Sequence, residues 1–135
     1  MAGYGMSIKI KGYLEEVKPK VVEALKTQGF GVLTEIDVQK TMKQKLDVDF
    51  KPYQILGACN PRFAHRALMV DESIGLLLPC NVILRQDDDG VEVSIQDPEV
   101  MFSVVDEDKK KLMVDFPKEV KQALQSVLAL LKSQQ

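Results

Sequence analysis

The sequence predicts a single-domain α+β sandwich, a mixed and mostly antiparallel sheet packed by helices in the order β-α-β-α-β-α-β-β-α. Segments in which apolar and polar residues alternate are separated by segments whose apolar residues recur three and four positions apart. Asp88-Asp89-Gly90, between two alternating segments, is typical of a β-hairpin turn. The C-terminal segment from Phe116 carries the clearest amphipathic stripe in the chain.

The first strand is predicted over residues 6–12, where Ile8 and Ile10 alternate with lysines. Residues 1–5 are expected to form a flexible N-terminal segment, because they are rich in glycine and poor in apolar side chains. Residues 6–135 are then expected to fold as one domain.

A helix is predicted over 15–28, with Pro19 in or near its first turn, where the missing N–H costs little. Gly29 suits the left-handed position that ends a helix, with Phe30 folding back on the last turn. A second strand follows over 31–36.

Asp37 is expected to cap a short helix that ends near residue 45. Its inward side chains would be Val38, Met42 and, less firmly placed, Leu46.

The third strand, over 53–59, carries few charges and is expected to lie inside the sheet. Asn60 then caps a helix that runs to about residue 71, with Pro61 at its first position. The residues expected to face the core are Ala64, Ala67 and Leu68.

The hairpin strands are predicted over 81–86 and 91–95, and Asp97-Pro98 opens a short turn after them. The charged run 106–111 is expected to be a solvated loop. The last helix then covers one face of the sheet.

Composition limits the classes of function. The chain has 135 residues, 45 % of them hydrophobic, and a formal net charge of −2. No basic face is implied, so nucleic acid is not expected as a partner. No apolar run approaches membrane-span length and no signal peptide is evident, so we expect a soluble cytoplasmic protein whose two cysteines stay reduced.

The rare reactive side chains lie in the centre of the chain. Each cysteine is followed by asparagine, as Cys59-Asn60 and Cys80-Asn81, and the single histidine, His65, lies between them. Cys59, Cys80 and His65 are therefore the candidate catalytic residues, although burial of each cysteine as a small apolar side chain is the more common role. Whether the protein is an enzyme stays open.

A helix start beside Cys59 favours negative charge, on a thiolate or on a bound anion. Arg62 and Arg66 lie one turn apart on that helix and add positive charge. The candidate ligand-binding residues are Asn60, Arg62, Arg66 and Asn81.

A disulfide is not expected. If the helix after Cys59 leads directly to a parallel neighbouring strand, Cys59 and Cys80 lie at opposite ends of the sheet, beyond disulfide reach. Only an extended return over 72–79 would bring the two residues together. A metal site would need Cys59, His65 and Cys80 with Asp71 or Glu72, and no closely spaced ligand pair forms it in advance. Neither a metal ligand nor a cofactor is therefore assigned.

The segments GACNP (57–61) and LLPCNV (77–82), with LKTQGFGVLTEID upstream and Asp97-Pro98 downstream, resemble the prokaryotic family called domain of unknown function 302. The resemblance covers about residues 11–131. It implies a small α+β fold and homodimers, but no activity. It also implies that the positions lining the family motif here are Cys59, Asn60, Pro61, Pro79, Cys80 and Asn81.

Three hypotheses for function follow. The first is a dimeric module that binds a small anionic or hydrophobic ligand, or serves as an accessory protein, using the Cys59-Asn60-Pro61 helix start and the Pro79-Cys80-Asn81 turn. The second is a thiol-dependent redox or catalytic protein that uses Cys59 or Cys80. The third is a metal-binding protein.

Overall fold

The computed structural model describes residues 3–135 and confirms the α+β class. Its elements in chain order are β1 (Gly5–Ile10), α1 (Leu14–Lys26), β2 (Gly31–Asp37), α2 (Val38–Leu46), β3 (Tyr53–Cys59), α3 (Pro61–Val70), a 3₁₀ helix (Glu72–Leu77), β4 (Cys80–Asp87), β5 (Gly90–Gln96), α4 (Pro98–Met101), a 3₁₀ turn (Phe102–Val104), α5 (Glu107–Lys110) and α6 (Phe116–Ser133). Of the flexible segment expected over 1–5, Met1 and Ala2 lie outside the described residues, and β1 begins at Gly5.

The five strands form one sheet in the order β1-β5-β4-β3-β2. Every neighbouring pair in this sheet is antiparallel, so the mixed sheet expected from the sequence has no parallel pair within the described residues. β3 is an interior strand, as its low charge predicted, and β1 and β2 are the two edges.

One face of the sheet packs against α1 and α6. Alternate strand residues on this face, together with the apolar stripes of the two helices, are almost wholly buried. Among the largest buried side chains are Leu25, Leu56, Leu84, Ile95, Leu124 and Leu131. Burial at roughly 25 cal/mol per Å² makes this layer the main source of stability.

The other face of the sheet, called the open face below, remains half-buried or exposed. Its side chains form rows across neighbouring strands, because antiparallel partners point to the same side. One row is Ser7, Ser94, Ile83, Ile55 and Ile36, and the next is Lys9, Glu92, Arg85 and Tyr53.

Several predicted turns and caps are confirmed. The Asn60 side chain accepts hydrogen bonds from the backbone at the start of α3, and Asp37 does the same for α2. Gly29 has φ +80°, and the Phe30 N–H donates to the Leu25 carbonyl at 3.0 Å. Asp87 pairs with Gly90 across the two-residue hairpin turn.

Pro19 is not in the first turn of its helix. Because α1 begins at Leu14, Pro19 is the sixth helical residue. It leaves the Glu15 carbonyl without its usual donor four residues later.

The predicted inward faces of α2 and α3 are partly wrong. No residue of α2 is buried, and Leu46 is 66 % exposed, because α2 contacts β2 and β3 at the sheet edge rather than covering a face. In α3, Ala67 is buried but Leu68 is 37 % exposed. Phe63 packs on the core in its place.

The charged run expected as a loop contains the short, unburied helix α5. None of the helices within residues 3–135 combines the length and apolarity that a bilayer crossing requires.

Candidate functional site

The two Cys-Asn dipeptides meet at one end of the sheet. β3 and β4 run antiparallel, and Ala58 is the cross-strand partner of Cys80. The separation of Cys59 from Cys80 expected for a direct parallel crossover is therefore wrong. The 3₁₀ helix after α3 carries the chain back to the end of β3 before β4 begins, so the two cysteines become neighbours.

Both cysteines are free thiols and line one small cavity of about 20 Å³. Its walls are mostly apolar and include Phe30, Phe63 and Pro79. A space of this size holds about one water molecule, so it is too small for a metabolite.

Burial disfavours the thiolate at both positions. It raises the pKa of Cys80 from 9.0 to about 11, with a smaller effect from the nearby Cys59 and an opposing hydrogen bond from Gln96. Burial also raises the pKa of the half-buried Cys59 thiol. Both shifts run against the lowered pKa that the helix start was expected to produce.

The Asn60 side chain bonds to the protein through both its amide oxygen and its amide nitrogen. Its Oδ1 accepts from the backbone N–H groups of Arg62 at 3.1 Å and Phe63 at 3.3 Å. Its Nδ2 donates to the Gln28 carbonyl at 3.0 Å, across the turn that contains Gly29. Asn60 therefore ties the start of α3 to the connection between α1 and β2.

Gly57 in the same motif is required by close packing. A Cβ atom at this position would lie 2.2 Å from Thr34 Oγ1 and 2.8 Å from Pro79 Cγ. Pro79 therefore rests directly on the β3 backbone, which gives both motifs a packing role.

The charged residues of α3 lie away from this cavity. Arg66 donates two hydrogen bonds to the Glu119 carboxylate, at 3.1 and 2.9 Å, and its guanidinium lies 5.2 Å from the Phe116 ring centre. His65 is exposed and lines a groove together with Arg66 and Met69. Arg62 is exposed at the helix start.

A larger depression lies on the open face. This open-face hollow has a volume of about 550 Å³ and is lined chiefly by Ser7, Tyr53, Asn81, Arg85, Glu92 and Ser94. Asn81 is the predicted ligand-binding residue that lies here. It points away from the face on which Cys80 is buried, because successive strand residues alternate.

The hollow forms where small side chains on the open face are surrounded by larger ones. Gly5, Ser7 and Ser94 form its floor, and the two serine hydroxyls lie 2.6 Å apart. Tyr53 and Arg85 belong to the adjacent row and form part of the wall. A hollow with a volume of about 550 Å³ is within the usual size range of small-ligand sites.

Arg85 is the central charged group of the hollow. The Arg85 guanidinium donates to the carboxylate of Glu92, which is its cross-strand partner on β5. The cross-strand partner of Arg85 on β3 is Tyr53. Although 39 % of the Arg85 side chain is exposed, Nε is covered and has no acceptor among the described residues. Leaving such a donor unpaired costs about 1–3 kcal/mol.

Sequence reasoning did not single out Arg85, Glu92, Tyr53 or Ser94. A signal was present, because a two-residue turn at Asp88-Asp89 pairs Asp87 with Gly90 and so places Arg85 opposite Glu92.

Within residues 3–135, no three or more histidine, cysteine, aspartate or glutamate side chains are grouped so that they could hold a metal ion.

Comparisons with known proteins agree on one family. The model of the family described as "Domain of unknown function DUF302" matches residues 6–131. A crystal structure of an uncharacterized conserved protein DUF302 from Bacillus stearothermophilus is similar, with a TM-score of 0.83 and 25 % identity over 95 % of this chain and 98 % of that one. A comparison with curated proteins finds no match.

Proposed function

The chain belongs to the DUF302 family, and we propose that it is a dimeric module that binds a small ligand or serves as an accessory protein. The observation that carries this proposal is the open-face hollow, which is the right size for a small molecule and is lined by polar side chains. Asn81 of the Pro79-Cys80-Asn81 turn contributes to the site directly. Asn60 and Gly57 support it by fixing the ends of β3 and α3.

Chemical identification of a bound molecule tests this proposal. Protein purified under native conditions is denatured, and the released small molecules are identified by mass spectrometry. We expect one compound in a fixed ratio to wild-type protein and its loss in Ser94→Phe, which fills the floor of the hollow. Ser133→Phe, the same change at an exposed position on α6, is the matched control. Equal release from all three proteins, or none from any, would contradict the proposal.

The homodimer is supported by apolar side chains on the β2 edge and the connection that follows it. The β2 patch comprises Leu33, Ile36, Leu46, Val48 and Phe50, each at least 41 % exposed. β2 is also an edge strand with free backbone groups. Burial of such a surface in a second copy removes apolar area from water.

Light scattering during gel filtration tests the dimer. We expect twice the 15.1 kDa chain mass for wild type and a monomer for the double variant Leu33→Asp, Ile36→Asp. Leu76→Asp changes a residue that is 89 % exposed outside the patch and should leave the dimer intact. A monomeric wild type, or a dimer that survives the double change, overturns this interface.

The other hypotheses have less support. Thiol chemistry needs a lowered pKa, whereas burial raises the pKa of both cysteines. We expect slow alkylation of Cys59 and Cys80, with no rate plateau below about pH 8.5. Within residues 3–135, no group of potential ligand side chains supports the hypothesis of a metal-binding protein. We place the protein in the cytoplasm, which its two free thiols favour. We place it in a prokaryotic cell because the similar DUF302 protein comes from Bacillus stearothermophilus.

The anionic or hydrophobic ligand predicted from the sequence stays a prediction. Arg66 is paired with Glu119, so Arg62 is the residue of α3 left to attract an anion at the helix start.

A further inference from the structure

The charge inside the open-face hollow is balanced. Among the described residues that line it, Arg85 and Glu92 carry charge, and they are hydrogen-bonded to each other. An anion approaching Arg85 meets the Glu92 carboxylate, and a cation approaching Glu92 meets the guanidinium. The two opposite charges already offset each other, so the hollow offers a charged ligand little net attraction to set against the loss of its hydration.

The remaining polar groups of the hollow both donate and accept hydrogen bonds. They are the amides of Asn81 and Gln96 and the hydroxyls of Ser7, Ser94, Tyr4 and Tyr53. A ligand hydroxyl group matches this mixture, because each hydroxyl also donates and accepts.

Apolar surface is present beside these groups. The side chains of Ile83 and Met101 and the ring of Tyr53 line the hollow. Tyr53 is held in place by edge-on contact with Phe50, with ring centres 6.0 Å apart. A ligand with a compact ring can place its C–H surface here while its polar groups face the amides and serines.

From these three features we propose that the open-face hollow binds a neutral ring bearing several hydroxyl groups, a saccharide or the sugar of an uncharged nucleoside. This inference rests on the proposed function and specifies its ligand. Asn81 and the Ser7–Ser94 pair contact the ligand hydroxyls, Tyr53 packs on the ring, and the Arg85–Glu92 pair stays intact. The floor of glycine and serine leaves the space the ring occupies.

Amide chemical shifts of the full chain, followed by NMR during ligand titration, test the inference. The titrants are neutral mono- and disaccharides and adenosine, with sodium phosphate as the anion and indole as the apolar compound. We expect saturable shifts at residues 7, 81, 85 and 94 with a saccharide or adenosine. Which of the two saturates at lower concentration identifies the source of the sugar ring.

Two variants remove the site by different means. Ser94→Phe fills the hollow, and Asn81→Leu replaces the amide by an apolar group branched at the same carbon. Each should weaken saccharide or nucleoside binding about tenfold or more. Ser133→Phe should bind like wild type. Dispersed amide spectra establish folding, and if Ser94→Phe does not fold, Asn81→Leu alone decides.

Three other results would overturn the inference, each in a different way. If phosphate or indole shifts the hollow residues and the hydroxylated rings do not, the ligand class is overturned and small-ligand binding stands. If hydroxylated rings shift residues elsewhere, or bind Asn81→Leu as well as wild type, the assignment to this hollow is overturned. If no compound shifts the hollow residues, the inference of a hydroxylated ring is overturned, and the release of a bound molecule from native protein decides separately whether the proposed function stands.

Discussion

At the scale of single residues, burial determines how readily the two thiols ionise. Cys80 is 7 % exposed and lies on the core face of β4, while Cys59 is half-buried at the end of β3. A neutral thiol in this position packs as a small apolar group, and a thiolate would lose its hydration. Burial therefore supports a packing role for the conspicuous Cys-Asn pairs, at the point where strands and helix meet.

The Cys80 thiol should make stability fall at alkaline pH. Its pKa is about 11 in the fold against 9.0 ordinarily, so folding favours the protonated form. The stability that this contributes is fully present below about pH 8.5 and is lost as pH rises through 11. The loss of unfolding free energy reaches about 1–2 kcal/mol near pH 10.5. Urea unfolding from pH 7 to 10.5 measures it.

Cys80→Ala is the comparison for this prediction. The variant starts less stable but should lose less stability than wild type between pH 8.5 and 10.5. Lysine titration affects both proteins alike, so the difference between their slopes is the readout. Parallel slopes would show that Cys80 titrates normally.

Gly57 should not tolerate a side chain. Gly57→Ala places Cβ against Thr34 Oγ1 and the rigid Pro79 ring and should cost about 1–3 kcal/mol of unfolding free energy. Adding Thr34→Ala should recover part of this loss, because it removes the nearer clash. Gly31→Ala, where nothing lies within 4 Å of the added atom, should change stability by about 0.5 kcal/mol or less. Equal effects at both glycines would refute the packing argument.

At the scale of elements, one side chain joins three of them. Asn60 directly follows β3, caps α3 and donates a hydrogen bond to the turn after α1. The position of α3 therefore depends on a residue outside the helix. Phe63 on the first turn of α3 then packs against Phe116 of α6, with ring centres 5.9 Å apart. The end of the sheet near the cysteines is held by these contacts.

Asn60 variants should separate its two contributions. Asn60→Ala loses the cap and the bond to Gln28 and should cost about 2 kcal/mol in denaturant unfolding. Asn60→Asp keeps the cap but places a carboxylate oxygen against the Gln28 carbonyl, so it should also be destabilised. Asp37→Ala, which removes the cap of the unburied helix α2, should cost about 1 kcal/mol. If Asn60→Asp matches wild type, the bond to Gln28 contributes nothing.

For the whole molecule, Asp87 connects distant parts of the chain. Its carboxylate accepts from Lys51 Nζ and Lys9 Nζ, each at 2.6 Å. Lys51 precedes β3, Lys9 is on the edge strand β1, and Asp87 ends β4. The three elements are thus linked at the end of the sheet opposite the cysteines.

This cluster should make stability fall in acid. The lysines, Lys51 foremost, lower the pKa of Asp87 from 3.8 to about 2. Because the folded pKa is lower, the contribution is present above about pH 4 and is lost as pH falls toward 2. Thermal unfolding at low salt from pH 5 to 2 should show a smaller pH dependence in Asp87→Asn than in wild type.

Asp88→Asn changes the neighbouring turn residue and is the matched control. It should keep the wild-type acid dependence, and moderate salt should weaken the Asp87 effect because the charges are exposed. An unchanged slope in Asp87→Asn would remove Asp87 as the linking residue.

The sequence by itself determined the features that depend on local spacing. The stripe of α6, the caps at Asp37 and Asn60, the ending at Gly29 and the hairpin turn follow from hydrogen bonds and side-chain periodicity within a few residues. The family motifs likewise located the end of the sheet where β3, α3 and β4 meet.

Tertiary structure alone decided what those motifs pack against and where the sheet forms a hollow. The strand that follows α3 is antiparallel to β3 because a 3₁₀ helix returns the chain, and this brought Cys59 beside Cys80. Helices on one face left the other open, and small side chains from β1 and β5 created the hollow beside Arg85. These outcomes depend on contacts between residues far apart in the chain, which local periodicity does not encode.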